Sequence, residues 1–135
     1  MKLLPAVTLT LLLLPGAGQA EDFPAGRWVF SRDESIASLV EAGKSKKDAE
    51  MGADMLREAT IDFTEESVRI DLTEGFMIQK CGWEPNDKDE IILTNCLDSD
   101  GKPVKDDGAK RIDWMDDESL HVYEADGSKV IFRKK

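Results

Sequence analysis

The chain has 135 residues with 28 acidic and 18 basic side chains, a formal net charge of −10, one histidine and two cysteines. A surface this acidic repels nucleic acid and anionic lipid, so neither is expected as a partner. One histidine leaves nucleophilic triads and multi-histidine zinc sites without their usual base or ligands, and no motif calls for a cofactor or metal.

Met1-Lys2 precedes an apolar run from Leu3 to Leu14, then Pro15-Gly16 and the small-residue stretch Gly18-Gln19-Ala20. This is the pattern of a secretory signal, residues 1–20, with cleavage predicted after Ala20 and a periplasmic or secreted destination. The apolar run is too short for a membrane span, and no cysteine follows it to take a lipid, so no membrane anchor is expected in the mature chain. Residues 21–135 then make one domain.

Gly26 to Ser31 alternates as a strand, with Trp28 and Phe30 on one side and Arg27 and Val29 on the other. Ser31 with Glu34 has a capping-box spacing, and Asp33 competes as the cap. The period then changes to that of helices, predicted over 34–42 and 46–58, the second capped by Ser45. Their stripes are Ile36, Leu39 and Val40, then Ala49, Gly52, Ala53 and Leu56, with Met51 and Met55 beside the second.

After Ala59 the period returns to two. A turn at Glu65-Glu66 sets Phe63 opposite Val68 and Ile61 opposite Ile70. Strands follow over 76–84 and 90–97, an irregular acidic stretch over 98–108, and strands over 110–115, 120–124 and 129–133. Ile112 and Trp114 are expected inward. A three-residue turn with Gly127 left-handed places Leu120 and Val122 on one face with Val130 and Phe132. About eight short antiparallel strands close most economically as an up-and-down barrel, which leaves no open edge. The expected class is therefore mainly β, a small antiparallel barrel with a helical insert (34–58) after the first strand; the alternative is an α+β roll with the helices on one face of an open sheet.

Gly26-Arg27-Trp28 resembles the G-x-W signature of lipocalin-like (calycin-type) barrels, and the pattern is closest in kind to small exported bacterial lipocalin-like proteins. The resemblance implies that a basic residue of the last strand packs over the Trp at the closed end, and Arg133 is the position that matches it. Gly26, Trp28 and Arg133 are thus expected as structural anchors. Such barrels host carriers, enzymes and inhibitors alike.

Cys81 and Cys96 lie equidistant from a turn between Lys88 and Asp89, so a regular hairpin sets them opposite each other. In an oxidising compartment they should be bridged. His121, between inward Leu120 and Val122, should face out. Asp98, Asp100, Asp106 and Asp107 invite a calcium reading, but Gly101 comes too early for an EF-hand loop and no Glu closes it. No phosphate loop, nucleophile elbow or zinc-protease helix is present in the sequence, so an enzyme is the disfavoured class.

Met51, Met55, Leu56, Phe76, Met77 and Trp83 are candidates to line a ligand pocket, because methionine in particular adapts to varied apolar shapes. The same residues could instead fill the core under a helix. The function expected first is an exported, non-enzymatic binding module for a small apolar or amphipathic ligand held between helical lid and barrel. The alternative is an acidic protein-binding module, such as an inhibitor of a basic hydrolase like lysozyme, acting through the Asp98–Asp107 loop or the Asp116–Glu118 turn.

Overall fold

The structure, a computed structural model, describes residues 23–86, 88, 90–104, 108–116 and 118–135. The predicted signal segment and the acidic positions Asp106 and Asp107 lie outside the described residues.

Eight antiparallel strands close into a barrel in sequence order: β1 (Gly26–Phe30), β2 (Thr60–Phe63), β3 (Val68–Thr73), β4 (Phe76–Pro85), β5 (Glu90–Leu97), β6 (Arg111–Asp116), β7 (Ser119–Tyr123) and β8 (Lys129–Lys134). Closure comes from β8 pairing with β1, Phe30 opposite Phe132 and Trp28 opposite Lys134. The helices α1 (Arg32–Glu41) and α2 (Lys46–Met55) follow β1. They therefore belong to the end where β1 finishes, and Gly26 and the β2–β3 turn belong to the other.

Alternation places the core. Trp28, Ile61, Val68, Ile112 and Leu120 are fully buried inside, and Phe63, Ile70, Val122, Val130 and Phe132 join them. The expected registers hold: Phe63 faces Val68, Ile61 faces Ile70, Leu120 faces Phe132 and Val122 faces Val130. Gly127 has φ 89°, the left-handed position that lets a three-residue turn join β7 to β8.

Both helices stop earlier than the periodicity suggests, at Glu41 and Met55 rather than 42 and 58. Leu56 caps α2 because the chain must next deliver Ala59, whose carbonyl accepts from the Phe30 N–H at 3.2 Å and whose side chain is buried. Ser45 caps α2 as expected, accepting from the Asp48 N–H at 3.1 Å.

The capping box expected at Ser31 and Glu34 does not form. Ser31 is the N-cap of α1, yet its N–H is taken by the Ile131 carbonyl at 2.8 Å, and Glu34 turns to Arg133 instead. The reason lies in the edge of β8 beyond its pairing with β1, whose backbone groups need partners. Ser35 Oγ accepts from the Ile131 N–H at 2.8 Å, and Ser38 Oγ donates to the Lys129 carbonyl at 3.0 Å. Three serines thus lay α1 along β8. Lys44, just past α1, extends the seam by pairing with Asp126 at 3.0 Å.

Cys81 and Cys96 form a disulfide with a Cα–Cα distance of 4.1 Å, but the hairpin that carries them is not regular. Trp83 faces Leu93 and Gly82 faces Thr94, a register that would bring Asn95 opposite Cys81. A bulge between the Gly82 and Lys80 pairs, with Asn95 at φ 51°, adds the residue that carries Cys96 into place.

Candidate functional site

The two ends of the barrel are finished differently. At the Gly26 end the interior is filled by rings. Trp28 is 1% exposed, its Nε1 donates to the Pro24 carbonyl at 2.9 Å, and Lys134 Nζ lies 5.0 Å from its ring. This corrects the expectation for Arg133. Trp28 and Phe30 point inward, so Phe132 and Lys134, their partners across the closing seam, share that face, and Arg133 between them must point out. Arg133 there holds Glu34, with Nε–Oε1 at 2.8 Å. That pairing, with the Ser31 hydroxyl, lowers the Glu34 pKa to about 2. Gly26 is fitted to this end by its φ of 99°, and a Cβ there would meet Lys134 Nζ at 2.9 Å. Trp83 belongs here too: its ring meets Phe63 at 5.4 Å and Phe23 at 5.7 Å, and its Nε1 donates to the Thr64 carbonyl at 3.0 Å.

At the helical end the interior is not filled. A cavity of about 140 Å³ lies at the barrel mouth, walled by Ile70, Val122, Val130 and Phe132 and reached by Leu56 and Ile78. Beside it a groove of about 490 Å³ runs between the helices and the β7–β8 side, lined by Leu39, Gly52, Met55, Leu56 and Val130 with Lys44, Asp48 and Glu124 at its rim. The two spaces share Leu56, Glu124 and Val130. They form one apolar site with a charged threshold.

Gly52 keeps that groove open. It lies inside α2, where a glycine destabilises by about 0.5–1 kcal/mol relative to alanine. Nothing in the fold requires it, since a Cβ built there meets no atom within 4 Å. Its neighbours on the stripe, Ala49 and Ala53, are wholly buried. Those two line neither space, and Gly52 is the position on the stripe that borders the groove.

Glu124 is the charged group of the inner cavity. It follows Leu120 and Val122 on the inward parity of β7, one step beyond the strand's last residue. Burial raises its pKa first, and the neighbouring Asp126 carboxylate second. Asp126 is pushed the other way, well below the usual carboxylate range, chiefly by the Ser128 hydroxyl and N–H and then by Lys44.

Of the six residues expected to line a pocket, the structure brings Met55 and Leu56 to the groove, Met55 with 74% exposure. Met51, Phe76 and Met77 line neither space, and Trp83 is packed at the opposite end. Leu39, Gly52, Glu124 and Val130 were not among the candidates. Two signals pointed to them: an unneeded glycine within a helix, and a carboxylate on the inward parity of a strand.

His121 faces the outside of the sheet, opposite Asp113 and Ile131, and is half-buried, which with Lys129 lowers its pKa. The Asp98 carboxylate accepts from the backbone N–H groups of Asp100 and Lys102, at 2.9 and 3.1 Å, and so closes its own turn. Asp116 does the same for the Glu118 N–H at 2.8 Å. Among the described residues no helix is long and apolar enough to cross a membrane.

No protein-family model, curated protein or solved structure matches the chain.

Proposed function

We propose that the protein is an exported binding module of lipocalin-like build that holds a small apolar or amphipathic ligand between its helices and the barrel mouth. The observation that carries this reading is Gly52: the chain accepts a helix-weakening residue where no packing demands it, and the space left is the groove. The inner cavity and outer groove together reach the size range of small-molecule sites, with mostly apolar walls and few polar groups. The inner cavity alone has room for several groups the size of a water. A ligand therefore inserts one end into the barrel and lays the rest under α2. Export is supported by the bridged Cys81 and Cys96, which suit an oxidising compartment.

The test is a fluorescence titration with the neutral apolar dye N-phenyl-1-naphthylamine. The wild-type chain should give saturable one-to-one enhancement, and Gly52→Phe, which fills the groove from α2, should abolish it without loss of fold. No saturable binding to the wild type, or equal binding to the variant, overturns the assignment of the site.

A further inference from the structure

The chemical class of the ligand follows from the polar groups that line the site, an argument that rests on the binding function proposed above. Two polar side chains reach the inner cavity, Gln79 and Glu124. Gln79 is fully engaged. Its Nε2 donates to the Ala109 carbonyl at 2.8 Å and lies against both disulfide sulfurs, and its Oε1 accepts from the Ala109 N–H at 3.3 Å.

Glu124 is not engaged. The donor nearest its carboxylate is Ser128 Oγ, at 3.4 Å, but that hydroxyl has a single proton and lies 2.5 Å from Asp126 Oδ1. Lys44, the ammonium on the groove, is likewise committed to Asp126. Glu124 thus stands between the two spaces with apolar walls on both sides and no cation of its own among the described residues. Asp48, from α2, adds a second carboxylate to the rim.

We propose that the site takes an amphipathic primary amine, with its ammonium on Glu124 at the junction and its apolar end in the inner cavity. An ammonium offers three donors and no acceptor, which suits a carboxylate lacking donors. A half-buried carboxylate is poorly compensated until a cation arrives, so binding supplies what the folded chain withholds. A carboxylate ligand meets Glu124 and Asp48 as like charges, and a neutral alcohol leaves the Glu124 charge unpaired.

The dependence on pH follows from the groups that face the junction: Asp48 from α2, Lys44 from the connection between the helices, and Asp126 with Ser128 from the β7–β8 turn. Lys44 and Asp126 remain an ion pair through mild acid, since Asp126 is depressed. Glu124, raised, is the group that protonates first on acidification, and amine binding weakens as it does.

Calorimetric titration with octylamine, octanol and octanoate tests this on the wild type, Glu124→Gln and Gly52→Phe. At about neutral pH octylamine should bind the wild type about tenfold or more tighter than octanol, and octanoate weakest. Glu124→Gln should bring octylamine down to the octanol level while octanol, relieved of an unpaired charge, binds no more weakly than before, and Gly52→Phe should lose both. Equal affinity for amine and alcohol, or an amine preference that survives Glu124→Gln, overturns the cation assignment but leaves the groove. Octanoate binding tightest overturns it in favour of a Lys44-directed anion. Absence of binding by all three overturns both the groove and its ligand. Should Glu124→Gln fail to fold, the wild type alone decides: octylamine affinity must fall between about pH 7 and pH 4.5 while octanol affinity does not fall, because an alkylammonium itself stays charged throughout.

Discussion

The two ends of this barrel are built from the same strands with the same alternation, yet one is filled and the other is roofed. At the Gly26 end, Trp28, Phe63 and Trp83 occupy the volume themselves, and the polar atoms they bring inside are satisfied by the Pro24 and Thr64 carbonyls. At the helical end, α2 buries Ala49 and Ala53 in the core, while its Gly52 borders an open groove with Leu39, Met55 and Val130. Large side chains close a barrel by packing; a helix of small residues closes it by covering. Only the second leaves room for a guest.

That contrast can be broken most severely at Trp28. Replacing this buried indole by alanine should cost about 3–5 kcal/mol in urea unfolding. Met55→Ala on the roof should stay within about 0.5 kcal/mol. Equal costs would erase the distinction between the ends. Next in size is the bridge between β4 and β5. Its 15-residue separation predicts a loss of about 3 kcal/mol when both cysteines are changed to serine. Exchange protection should fall first around Ala109, which Gln79 holds against the sulfurs, while the Trp28 end remains protected longer.

A sharper probe is Gly52→Leu. The helix should gain about 0.5–1 kcal/mol, and ligand binding should be lost, so stability and function move in opposite directions. A loss of stability would mean that the groove is tighter than its geometry indicates. Smallest is the effect of acid on the seam between α1 and the barrel. Glu34 has its pKa lowered from 4.5 to about 2 by Arg133 and Ser31. A depressed carboxylate contributes stability above its ordinary range and loses it as pH falls through about 4.5 towards 2. The pair is well exposed, so this amounts to under about 1 kcal/mol, and Glu34→Gln should flatten that part of the pH–stability curve.

Much of the barrel was legible because a period of two with a recognisable turn determines register: the β2–β3 and β7–β8 pairings follow from Phe63, Val68, Val122 and Val130 alone. The closed end was misread by one residue. The expected last strand stopped at Arg133, but β8 runs on to Lys134, and parity with Trp28 across β1 and β8 gives the inward place to Lys134. The bulge at Asn95 was hidden, since the bridge itself looks regular by counting from the turn. The groove was least legible. It depends on where the helices rest, and the serine contacts that lay α1 along β8 carry no periodic signal to set beside the apolar stripes. Prominent methionines and aromatics drew attention to side chains that fill space, while the site is made by a residue that leaves it, Gly52, and by one with no cation of its own among the described residues, Glu124.

The most direct test of the asymmetry is methyl-resolved NMR during titration with a neutral octyl alcohol. The account predicts shifts confined to Leu39, Met55, Leu56, Ile70, Ile78, Val122 and Val130 at the helical end, with Val68, Ile112 and Leu120 unmoved. Shifts centred on Val68 and Leu120, or spread evenly through the barrel, would contradict it.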